Sequence, residues 1–462
     1  MNIMHTFFIV VFILCIVFPL FHIINALLLV SKKPFYMHDN KTKEQGISIL
    51  VPCYNEESIL QTCISGMRNL KYKNHEIIFI NDGSSDETMR MLLDLLKLSP
   101  LDKNSVPYSE LPYMPVKGFY QSTIYSNVKV IDKVNGGKAD ALNAGIACSS
   151  NELIITLDAD SVLDESSLSI INKAFTDESV ISAGGNVHIL QGTEFENRKL
   201  VPALRKSKQI VRFQILEYLK GFYVLKASLA RANALSIISG AFGVFRKEVL
   251  MEVGGYRRTI GEDIDITLKV QKYAMKHKGK KILFIPEAIC YTEAPESWRD
   301  LYKQRIRWQK AFIDCFIIYF KTFMKTMFTN KVSFFFIFDS FLTGVLASYL
   351  TGFFVIATIV LFSGLTAKIF LIYTVTSVFA NLFYAIAALS VSSDYGHSYG
   401  KKDFFALTVT IILDLLVYRF INLLTAMIGS LAYFVNKHSW NKVSRTGRKY
   451  TVESKEIVQK AN

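Results

Sequence analysis

Paired acidic side chains that directly follow short apolar runs are the residues of this chain best suited to chemistry. In "ITLDADSVL", residues 155–163, a run rich in β-branched residues stops at Asp158 and Asp160. Carboxylates two residues apart lie on one face of an extended segment, so both could bind one hard cation such as Mg²⁺ or Mn²⁺. Without a cation between them, two buried acids repel each other. A purely structural role for the pair stays open.

A second acidic pair lies further along the chain, at the start of a helical pattern. "TIGEDIDITLKV", residues 259–270, places Glu262 and Asp263 directly before an amphipathic run. Acids at a helix N-terminus interact favourably with the helix dipole, so a capping role is the simplest interpretation. An acid in this place could equally act as a general base on an acceptor hydroxyl. The motif alone does not decide between the two.

Polar side chains also end two earlier apolar runs. "VPCYNEE", residues 51–57, contains Tyr54 and Glu56, and "NDGSSDET", residues 81–88, contains Asp82 before a glycine turn. An aromatic ring can stack on a nucleobase, and a carboxylate can accept hydrogen bonds from base N–H or ribose hydroxyl groups. The same residue types are also common in turns and helix caps. Both interpretations remain open for each motif.

A lysine follows two glycines in "NGGKADALNAG", residues 135–145. Backbone N–H groups at a helix start, together with the ammonium group of Lys138, could bind a diphosphate. The motif is not a Walker A loop, because that loop needs Ser or Thr after the lysine and Ala139 stands there. An ordinary loop is the alternative.

Hydrogen-bond donors and a large aromatic ring come together in "LYKQRIRWQKAF", residues 301–312, just before the chain becomes strongly apolar. The donors Gln304 and Arg307 could stabilise negative charge on a leaving group, and arginine offers a planar fork for phosphate oxygens. The indole of Trp308 offers a flat apolar face. A basic and aromatic anchor at the membrane interface is the alternative.

The elements around these motifs predict an α/β domain. Four β-branched runs end in polar residues and are separated by helix-like stretches, namely "ISILVPCYN", "HEIIFINDG", "NVKVIDK" and "ELIITLDAD". This alternation predicts a mostly parallel sheet with helices on both faces and ligands at the carboxyl ends of the strands. We expect residues 98–127 to form a long surface loop. Residues 197–235 are expected to be helical, either along the membrane face or in the core.

Apolar segments at both ends of the chain predict membrane helices. Residues 6–30 are apolar for ~25 positions, which is enough to cross a ~30 Å hydrocarbon core, and they are too long for a typical signal peptide. Because Lys32 and Lys33 follow this span, the positive-inside tendency places the following domain in the cytoplasm. Further apolar stretches lie at 333–361, 366–392 and 404–435. The last contains Asp414 and Arg419, so its pattern fits one span, two short helices or a re-entrant segment.

Charge and cysteine content argue against a nucleic-acid-binding protein, a disulfide-stabilised protein and a zinc protein. The formal net charge is +14, but the basic residues cluster beside membrane segments and in the tail, which favours anionic lipid headgroups over nucleic acid. The six cysteines have no CxxC spacing, so neither a disulfide framework nor a zinc site is expected.

In this order and spacing, the motifs resemble those of the processive family 2 glycosyltransferases, the membrane synthases of poly-N-acetylglucosamine, hyaluronan, chitin and cellulose. The resemblance covers about residues 46–330 and extends to the flanking spans. It implies a GT-A-type, Rossmann-like α/β domain in the cytosol, inserted between transmembrane helices of the plasma membrane. The expected parts are an N-terminal transmembrane helix at 1–31, the glycosyltransferase domain at 46–300, interfacial helices at 301–330, a C-terminal transmembrane region at 331–436 and a basic cytosolic tail at 437–462.

The resemblance also implies roles for the residues that match the family's motifs. The donor would be a UDP-sugar, bound at Tyr54, Glu56, Asp82, Lys138 and Asp158, with Asp160 and Asp158 on Mg²⁺ or Mn²⁺. Asp263, beside Glu262 in the family's acidic block, would deprotonate the acceptor hydroxyl.

On the acceptor side, "SGAFGVFRK", residues 239–247, is similar to the family's acceptor segment. The acceptor sugar would therefore border Gly240, Ala241 and Phe242. Gln304 and Arg307 would hold the departing diphosphate, and Trp308 would stack on the acceptor sugar at the entrance of a membrane channel.

Two positions depart from the family's usual pattern. Gly261 stands where Thr is common in the acidic block, and Asn81 stands where many members have a second Asp. Neither change touches the expected base or the expected nucleoside acid. No cyclic-dinucleotide-binding barrel is expected after the last span.

The resemblance predicts an inverting enzyme that polymerises a UDP-sugar, with UDP-N-acetylglucosamine favoured, and that moves the growing polysaccharide across the lipid bilayer. Two alternatives stay open: a single transfer to a lipid carrier, and a catalytically silent scaffold of a secretion complex. A small membrane accessory subunit stays open as a further partner.

Overall fold

A ten-stranded mixed sheet forms the centre of the protein. The structure, a computed structural model, describes residues 3–30, 43–102, 110–196, 199–361 and 364–437. The strand order in the sheet is β3-β4-β5-β2-β1-β6-β11-β8-β12-β7, and β9 and β10 form a separate hairpin. The strands are β1 Ile47–Cys53, β2 His75–Asp82, β3 Leu98–Pro100, β4 Val116–Ser122, β5 Val128–Lys133, β6 Leu153–Leu157, β7 Ser161–Leu163, β8 Val180–Ile189, β9 Thr193–Glu196, β10 Lys199–Pro202, β11 Phe242–Arg246 and β12 Lys281–Thr292.

The four β-branched runs form the parallel centre of this sheet, as the sequence predicts. β1 pairs in parallel with β2 and with β6, and β2 pairs in parallel with β5. Successive side chains point to opposite faces, so Ile77 and Phe79 belong to one core while Ile78 and Ile80 belong to the other. Both faces are therefore buried, and the polar residues that end β1, β2 and β6 lie at one edge of the sheet.

Helices cover both faces of the sheet and continue into the apolar regions at the two ends of the chain. They are α1 Ile3–Val30, α2 Leu60–Met67, α3 Thr88–Leu96, α4 Lys138–Cys148, α5 Ser167–Ala174, α6 Gln209–Leu219, α7 Ala227–Arg231, α8 Lys247–Glu252, α9 Glu262–Lys276, α10 Trp298–Thr326, α11 Lys331–Phe334, α12 Ala347–Leu361, α13 Gly364–Asp394, α14 Phe404–Leu413 and α15 Arg419–Val435. Within the described ranges, π-helical segments join neighbouring helices at Lys220–Lys226, Phe335–Leu346 and Asp414–Tyr418.

The expected surface loop at 98–127 is instead partly a sheet edge, which corrects the prediction. β3 pairs antiparallel with β4, and β4 pairs antiparallel with β5, so the segment extends the sheet by two strands. The apolar residues of "VKGFYQS" are only half-buried, because they lie in an edge region. This weak alternation explains why the sequence pattern gave no clear strand signal. Residues 103–109 lie outside the described part.

The basic segment at 197–235 is continuously helical only from Gln209 to Arg231, and this helical part lies between the sheet and the membrane helices. Lys199–Pro202 forms strand β10, so the prediction of helix is wrong there. α6 contacts β8 on one side and α13 and α14 on the other. Ile210, Phe213 and Leu216 are buried. The two expected locations, membrane face and core, are therefore combined: α6 is buried between the sheet and the membrane helices.

Four helical stretches in the described part of the chain are long and apolar enough to cross a membrane. They are Thr6–Leu29, Lys331–Phe353, Phe370–Asp394 and Lys401–Val435. The last is a single helical stretch with a π-helical turn in its middle, and not two separate helices. Two charged residues in its middle are bonded inside the protein, as expected for charges within a membrane: Asp414 accepts from Lys220 at 2.5 Å, and Arg419 donates to the Ser377 carbonyl at 3.0 Å.

Several predicted features lie outside the described residues. They include Lys32 and Lys33 after the first span, and the basic tail from residue 438 onward. The expected interfacial helices at 301–330 are represented mainly by one helix, α10, whose first residue follows the N-cap Ser297. The Ser297 hydroxyl accepts a hydrogen bond from the Asp300 N–H at 3.2 Å, which satisfies one of the free N–H groups of that helix end.

A buried histidine pair joins the end of α13 to the sheet. The rings of His188 on β8 and His397 have centroids 4.0 Å apart, and His188 Nε2 is 3.0 Å from the Tyr223 hydroxyl. Burial lowers the pKa of His397 to about 4. Burial also lowers the pKa of His188 well below its ordinary value, and the charge of a protonated His397 would lower it further. Both rings are therefore neutral at pH 7.

We expect this pair to make the fold acid-sensitive. The unfolded chain binds protons near pH 6.5 while folded His397 does not, so stability is full above that pH and falls as the pH drops toward about 4. The loss attributable to His397 is at most ~3 kcal/mol. Thermal unfolding in detergent, followed between about pH 7.5 and about pH 5, should show a smaller pH slope for His397→Phe than for the wild type.

The matched control is His277→Phe, because His277 is a partly exposed histidine near Glu252. This variant should keep the wild-type slope. An unchanged slope in His397→Phe would contradict the assignment of acid sensitivity to the pair.

Candidate active site

Asp82 holds the glycine loop that precedes α4. Its carboxylate accepts hydrogen bonds from the backbone N–H of Gly136 at 2.9 Å and of Gly137 at 2.7 Å. The buried Lys133 ammonium lies 2.5 Å from the same carboxylate. Gly137 has φ 89° and ψ 169°, a conformation that essentially only glycine adopts. The predicted contact of Asp82 with a nucleoside stays a prediction, because the bonds in the structure give this side chain a loop-shaping role.

Asn55 joins the two polar loops at the ends of β1 and β2. Its side-chain oxygen accepts from the Ser85 N–H at 2.7 Å, and its own N–H donates to the Ser84 hydroxyl at 3.0 Å. Beside it, the Tyr54 ring is 44% exposed, so one face is available for stacking. The Glu56 backbone N–H donates to the Thr88 hydroxyl at 2.8 Å. The loops thus form one surface at the carboxyl ends of both strands.

The Lys138 ammonium joins four of the sequence motifs. Its Nζ lies 2.6 Å from Asp158 Oδ1, 3.4 Å from Glu262 Oε1 and 3.5 Å from the Gly240 carbonyl oxygen. Burial by itself would lower the pKa of Lys138, but the charges of Asp158, Glu262 and Asp263 outweigh it and raise the pKa well above its ordinary value. Lys138 is therefore a permanent cation between acids that come from distant parts of the chain.

The second acid of the "DAD" motif lies deeper than the first. Asp160 is buried, and its Oδ1 accepts hydrogen bonds from the hydroxyl groups of Ser161 and Thr292, each at 3.1 Å. Asp158 is half-buried. No cluster of three or more His, Cys, Asp or Glu side chains suited to a metal occurs in the described part of the chain. Two carboxylates fit Mg²⁺ or Mn²⁺ as a donor set if a bound substrate supplies the remaining oxygen ligands.

The acidic pair Glu262 and Asp263 occupies the first turn of α9. Burial raises the pKa of Glu262, and the charges of Asp263 and Asp158 raise it further, while Lys138 opposes the change. The Ile264 N–H donates to Asp263 Oδ1 at 2.9 Å. Asp263 lies at the positive end of the helix dipole and near the Lys138 cation, and its predicted role as a base stays a prediction.

Gly261, the departure from the usual threonine, is explained by the approach of α10. A Cβ added at Gly261 would lie 3.0 Å from the Ala311 carbonyl oxygen and 3.2 Å from Cys315 Sγ. The second departure, Asn81, donates from Nδ2 to Asp132 Oδ1 at 2.7 Å. An aspartate at position 81 would place two carboxylates together there, with the cost that like charges carry.

The predicted acceptor segment divides into a half-buried and a fully buried part. A Cβ added at Gly240 would lie 2.9 Å from Lys138 Nζ and 3.7 Å from Asp263 Oδ2, so this glycine borders the expected base closely. Ala241 is partly buried against the core. Phe242 is completely buried, and its ring fills the space next to Gly185. We therefore correct the prediction for Phe242: its side chain packs in the core, because Phe242 is the first residue of β11 and points to a buried face of the sheet.

The predicted donor and stacking residues follow one another on α10. Gln304 is buried, and its Oε1 makes no hydrogen bond to any residue that the structure describes. Arg307 is half-buried. The Trp308 ring is 40% exposed, and the Tyr218 ring lies beside it with a centroid distance of 6.5 Å. The roles predicted for Gln304 and Arg307 on a diphosphate stay predictions.

A cavity begins beside Trp308 and continues between the membrane helices. It has a volume of about 370 Å³ and is bordered on the catalytic side by Ile264, the residue after Asp263. On the membrane side its walls include Ser340, Asn422 and Thr425, which lie in two of the candidate spans. The buried Asn422 Oδ1 has no hydrogen-bond partner among the described residues. Polar groups at membrane depth that line a cavity are typical of a path for a polar solute.

Two lysines near the site were not singled out from the sequence. Lys133 is completely buried between Asp82 and Asp140, at 2.5 and 2.6 Å. The parallel pairing of β2 with β5 places Lys133 opposite Asp82, so strand alignment would have found it. Lys226 lies 4.1 Å above the Phe222 ring, and burial lowers its pKa to about 8 although the Asp263 charge opposes this. No sequence signal marks Lys226.

Comparisons with known families agree with this geometry. The model of "Glycosyl transferase family group 2" matches residues 153–391, which is more than half of the chain, and that of "Glycosyl transferase family 2" matches residues 48–107. The chain belongs to the family 2 glycosyltransferases. The two matched ranges contain the polar loops, the "DAD" motif, the acidic pair on α9 and the α10 motif.

The glycosyltransferase is similar to known polysaccharide synthases. It is 28% identical over 381 residues to the poly-beta-1,6-N-acetyl-D-glucosamine synthase of Staphylococcus epidermidis, covering 79% of this chain and 80% of that protein. It is 29% identical over 299 residues to the synthase of the same name from Staphylococcus aureus, covering 64% and 61%. A solved structure, the mannosyltransferase PcManGT from Pyrobaculum calidifontis in complex with GDP-Man and Mn²⁺, has 15% identity and a TM-score of 0.49, covering 93% of this chain and 100% of that one.

We expect Lys138→Met to lower the rate of sugar transfer by the glycosyltransferase by about 10²-fold or more, because it removes a cation held against the site's acids. The loss also removes the charge that opposes the upward shift in the pKa of Glu262, so the pKa of Glu262 should rise further. The acidic limb of the pH–rate profile should therefore move to higher pH. Nucleotide release from the sugar donor, measured across pH, checks both effects.

Lys281→Met is the matched control, because Lys281 is an exposed lysine paired with Asp177 away from the site. It should leave the profile unchanged. A Lys138→Met enzyme with a normal rate and an unshifted acidic limb would contradict the central position of this ammonium.

Proposed function

We propose that this family 2 glycosyltransferase transfers N-acetylglucosamine from its UDP derivative to a growing polysaccharide, with inversion at the anomeric carbon, and passes the chain across the membrane. The observation that carries this proposal is the convergence of four motifs on Lys138, beside a cavity that continues from Trp308 between membrane helices. A donor site, an acceptor site and an exit path would thereby be adjacent.

Asp263 is the proposed catalytic base. It would accept the proton of the acceptor hydroxyl as the hydroxyl oxygen bonds to the anomeric carbon and the bond to UDP breaks. The closeness of Gly240 to the Asp263 carboxylate supports this role, since residue 240 has no side chain of its own to separate a sugar from that carboxylate. Glu262, held by Lys138, would help to orient the first turn of α9.

The leaving diphosphate would be stabilised by groups from both sides of the site. Gln304 and Arg307 are the proposed donors on α10, and Lys138 would contribute from α4. Asp158 and Asp160 would hold Mg²⁺ or Mn²⁺, which when bound neutralises negative charge on the diphosphate. Tyr54 would stack on uracil, with Glu56 and Asp82 on the nucleoside side of the pocket.

The choice of sugar rests on similarity to the poly-beta-1,6-N-acetyl-D-glucosamine synthases. Polymerisation and export are supported by the cavity, since the side chains of Ser340, Asn422 and Thr425 offer hydrogen bonds to sugar hydroxyl and amide groups at membrane depth. The positive-inside tendency supports a cytoplasmic catalytic domain in a multi-pass plasma-membrane protein.

The decisive experiment is UDP release and product size from the purified protein in lipid nanodiscs. UDP-GlcNAc, UDP-Glc, UDP-GlcA and UDP-GalNAc are offered singly and in pairs with Mg²⁺ or Mn²⁺. We expect a long product from UDP-GlcNAc alone, and we expect Asp263→Asn to lower the rate by about 10²- to 10⁴-fold because the base is lost. Asp94→Asn, at an exposed carboxylate, should be unaffected.

Other outcomes would replace the proposal. A product that requires two sugars would indicate a copolymer synthase, and a single sugar on a lipid carrier would indicate a transferase without polymerisation. No turnover with any donor would indicate either a scaffold or a missing accessory subunit. Co-purification of partner proteins would distinguish these two explanations.

Metal removal tests the roles of the "DAD" acids. We expect chelation to abolish transfer and Mg²⁺ or Mn²⁺ to restore it. Asp160→Asn should raise the metal concentration needed for half the maximal rate, because a neutral amide is a weaker ligand for a hard cation. Asp164→Asn is the control, since Asp164 is bonded to Ser166 outside the site. Full activity of Asp160→Asn at low metal would contradict the assignment.

A further inference from the structure

Arg305, a residue to which the family motif gives no role here, lies against Trp308. The centre of its guanidinium group is 4.2 Å from the centroid of the indole ring. The side chain is only 6% exposed, which is unusual for an arginine. Its Nη2 donates to Glu217 Oε2 at 2.5 Å and to the Tyr418 hydroxyl at 3.2 Å. One nitrogen of the group therefore carries the conventional bonds.

The other two guanidinium nitrogens, Nε and Nη1, are buried and make no hydrogen bond to any described residue. A buried N–H group without a partner is costly. Because the guanidinium group lies over the indole, the negative face of the ring attracts its delocalised positive charge. The contact with Trp308 is thus part of how the buried charge is stabilised.

The same network reaches the last membrane helix. The Tyr418 hydroxyl donates to Glu217 Oε2 at 2.7 Å, and the Tyr418 ring stacks on Phe213 with centroids 4.8 Å apart and an interplanar angle of 11°. Tyr418 is the last residue of the π-helical segment Asp414–Tyr418. The first residue of that segment, Asp414, is paired with Lys220, which directly follows α6, the helix that contains Glu217. Arg305 therefore connects the Trp308 indole to α6, through Glu217, and to the last membrane helix, through Tyr418.

We propose that Arg305 is a positioning residue for the acceptor: it covers one face of Trp308, fixes the plane of the ring against Glu217 and Tyr418, and leaves the opposite face for the terminal sugar. The 40% exposure of Trp308 and its place in the cavity wall agree with one covered and one open face. This inference rests on the proposed function. It adds that the terminal membrane helix helps to set the place of the acceptor sugar.

The first test follows the indole itself and needs no activity. The chain has three tryptophans, so Trp298→Phe with Trp440→Phe leaves Trp308 as the only reporter. In this background Arg305→Lys keeps a cation for Glu217 but removes the planar group. We expect acrylamide quenching of Trp308 to rise about twofold as the second face is uncovered. Arg299→Lys, an exposed arginine on the same helix, should change nothing.

The second test separates positioning from a merely structural role. With an N-acetylglucosamine oligosaccharide as acceptor, Arg305→Lys should raise the acceptor KM about tenfold with kcat nearly unchanged, and products should become shorter. In a Trp308→Phe background the same substitution should have little further effect, because Arg305 acts through the indole. Tyr418→Phe, which removes one hydroxyl, should give a smaller change in the same direction.

Unchanged quenching in Arg305→Lys would overturn the proposal. Equal effects of Arg305→Lys with the indole present and in the Trp308→Phe background would also overturn it, since they would indicate general destabilisation. If the wild type makes no polymer from UDP-GlcNAc, the proposed function fails and the acceptor role fails with it. The quenching result would still decide whether Arg305 holds the ring.

Discussion

The Lys138 ammonium is the interaction on which the active site depends. Asp158 follows β6, Glu262 and Asp263 begin α9, and without a cation between them their negative charges would repel one another. Lys138 is the first residue of α4, and the glycine loop before it is held by hydrogen bonds from its backbone N–H groups to the Asp82 carboxylate. Folding of the parallel sheet brings the glycine loop and the acids to one edge, so the active site forms only when the sheet has formed.

A second constraint comes from the membrane region, where charged groups are costly unless they are paired. Asp414 is paired with Lys220, and Glu217 is shared by Arg305 and Tyr418. These bonds join α6, a helix of the catalytic domain, to the terminal membrane helix. These paired charges therefore stabilise the contact between the catalytic domain and the membrane helices beside Trp308, where the cavity begins.

The sequence alone predicts the parallel centre of the sheet well, because its strands are buried on both faces and read as continuous β-branched runs. It predicts the edge strands β3 and β4 poorly, since half-buried strands carry a weak pattern. Among the site residues, motif spacing identifies the acids and Lys138, but not that Phe242 points into the core or that Lys133 pairs with Asp82. Those facts depend on strand register and on partners distant in the chain, which local patterns do not encode. For Arg305 and Lys226 the signal is absent because their roles depend on packing against other helices.

The measurement that tests this account most directly is a cryo-electron microscopy structure of Asp263→Asn in lipid nanodiscs with UDP-GlcNAc, Mg²⁺ and an N-acetylglucosamine oligosaccharide. The account predicts the diphosphate beside Lys138, Asp158 and Asp160, and the terminal acceptor sugar on the open face of Trp308 with its hydroxyl group beside residue 263. The nucleotide bound away from Lys138, or the acceptor bound away from both Trp308 and residue 263, would contradict it.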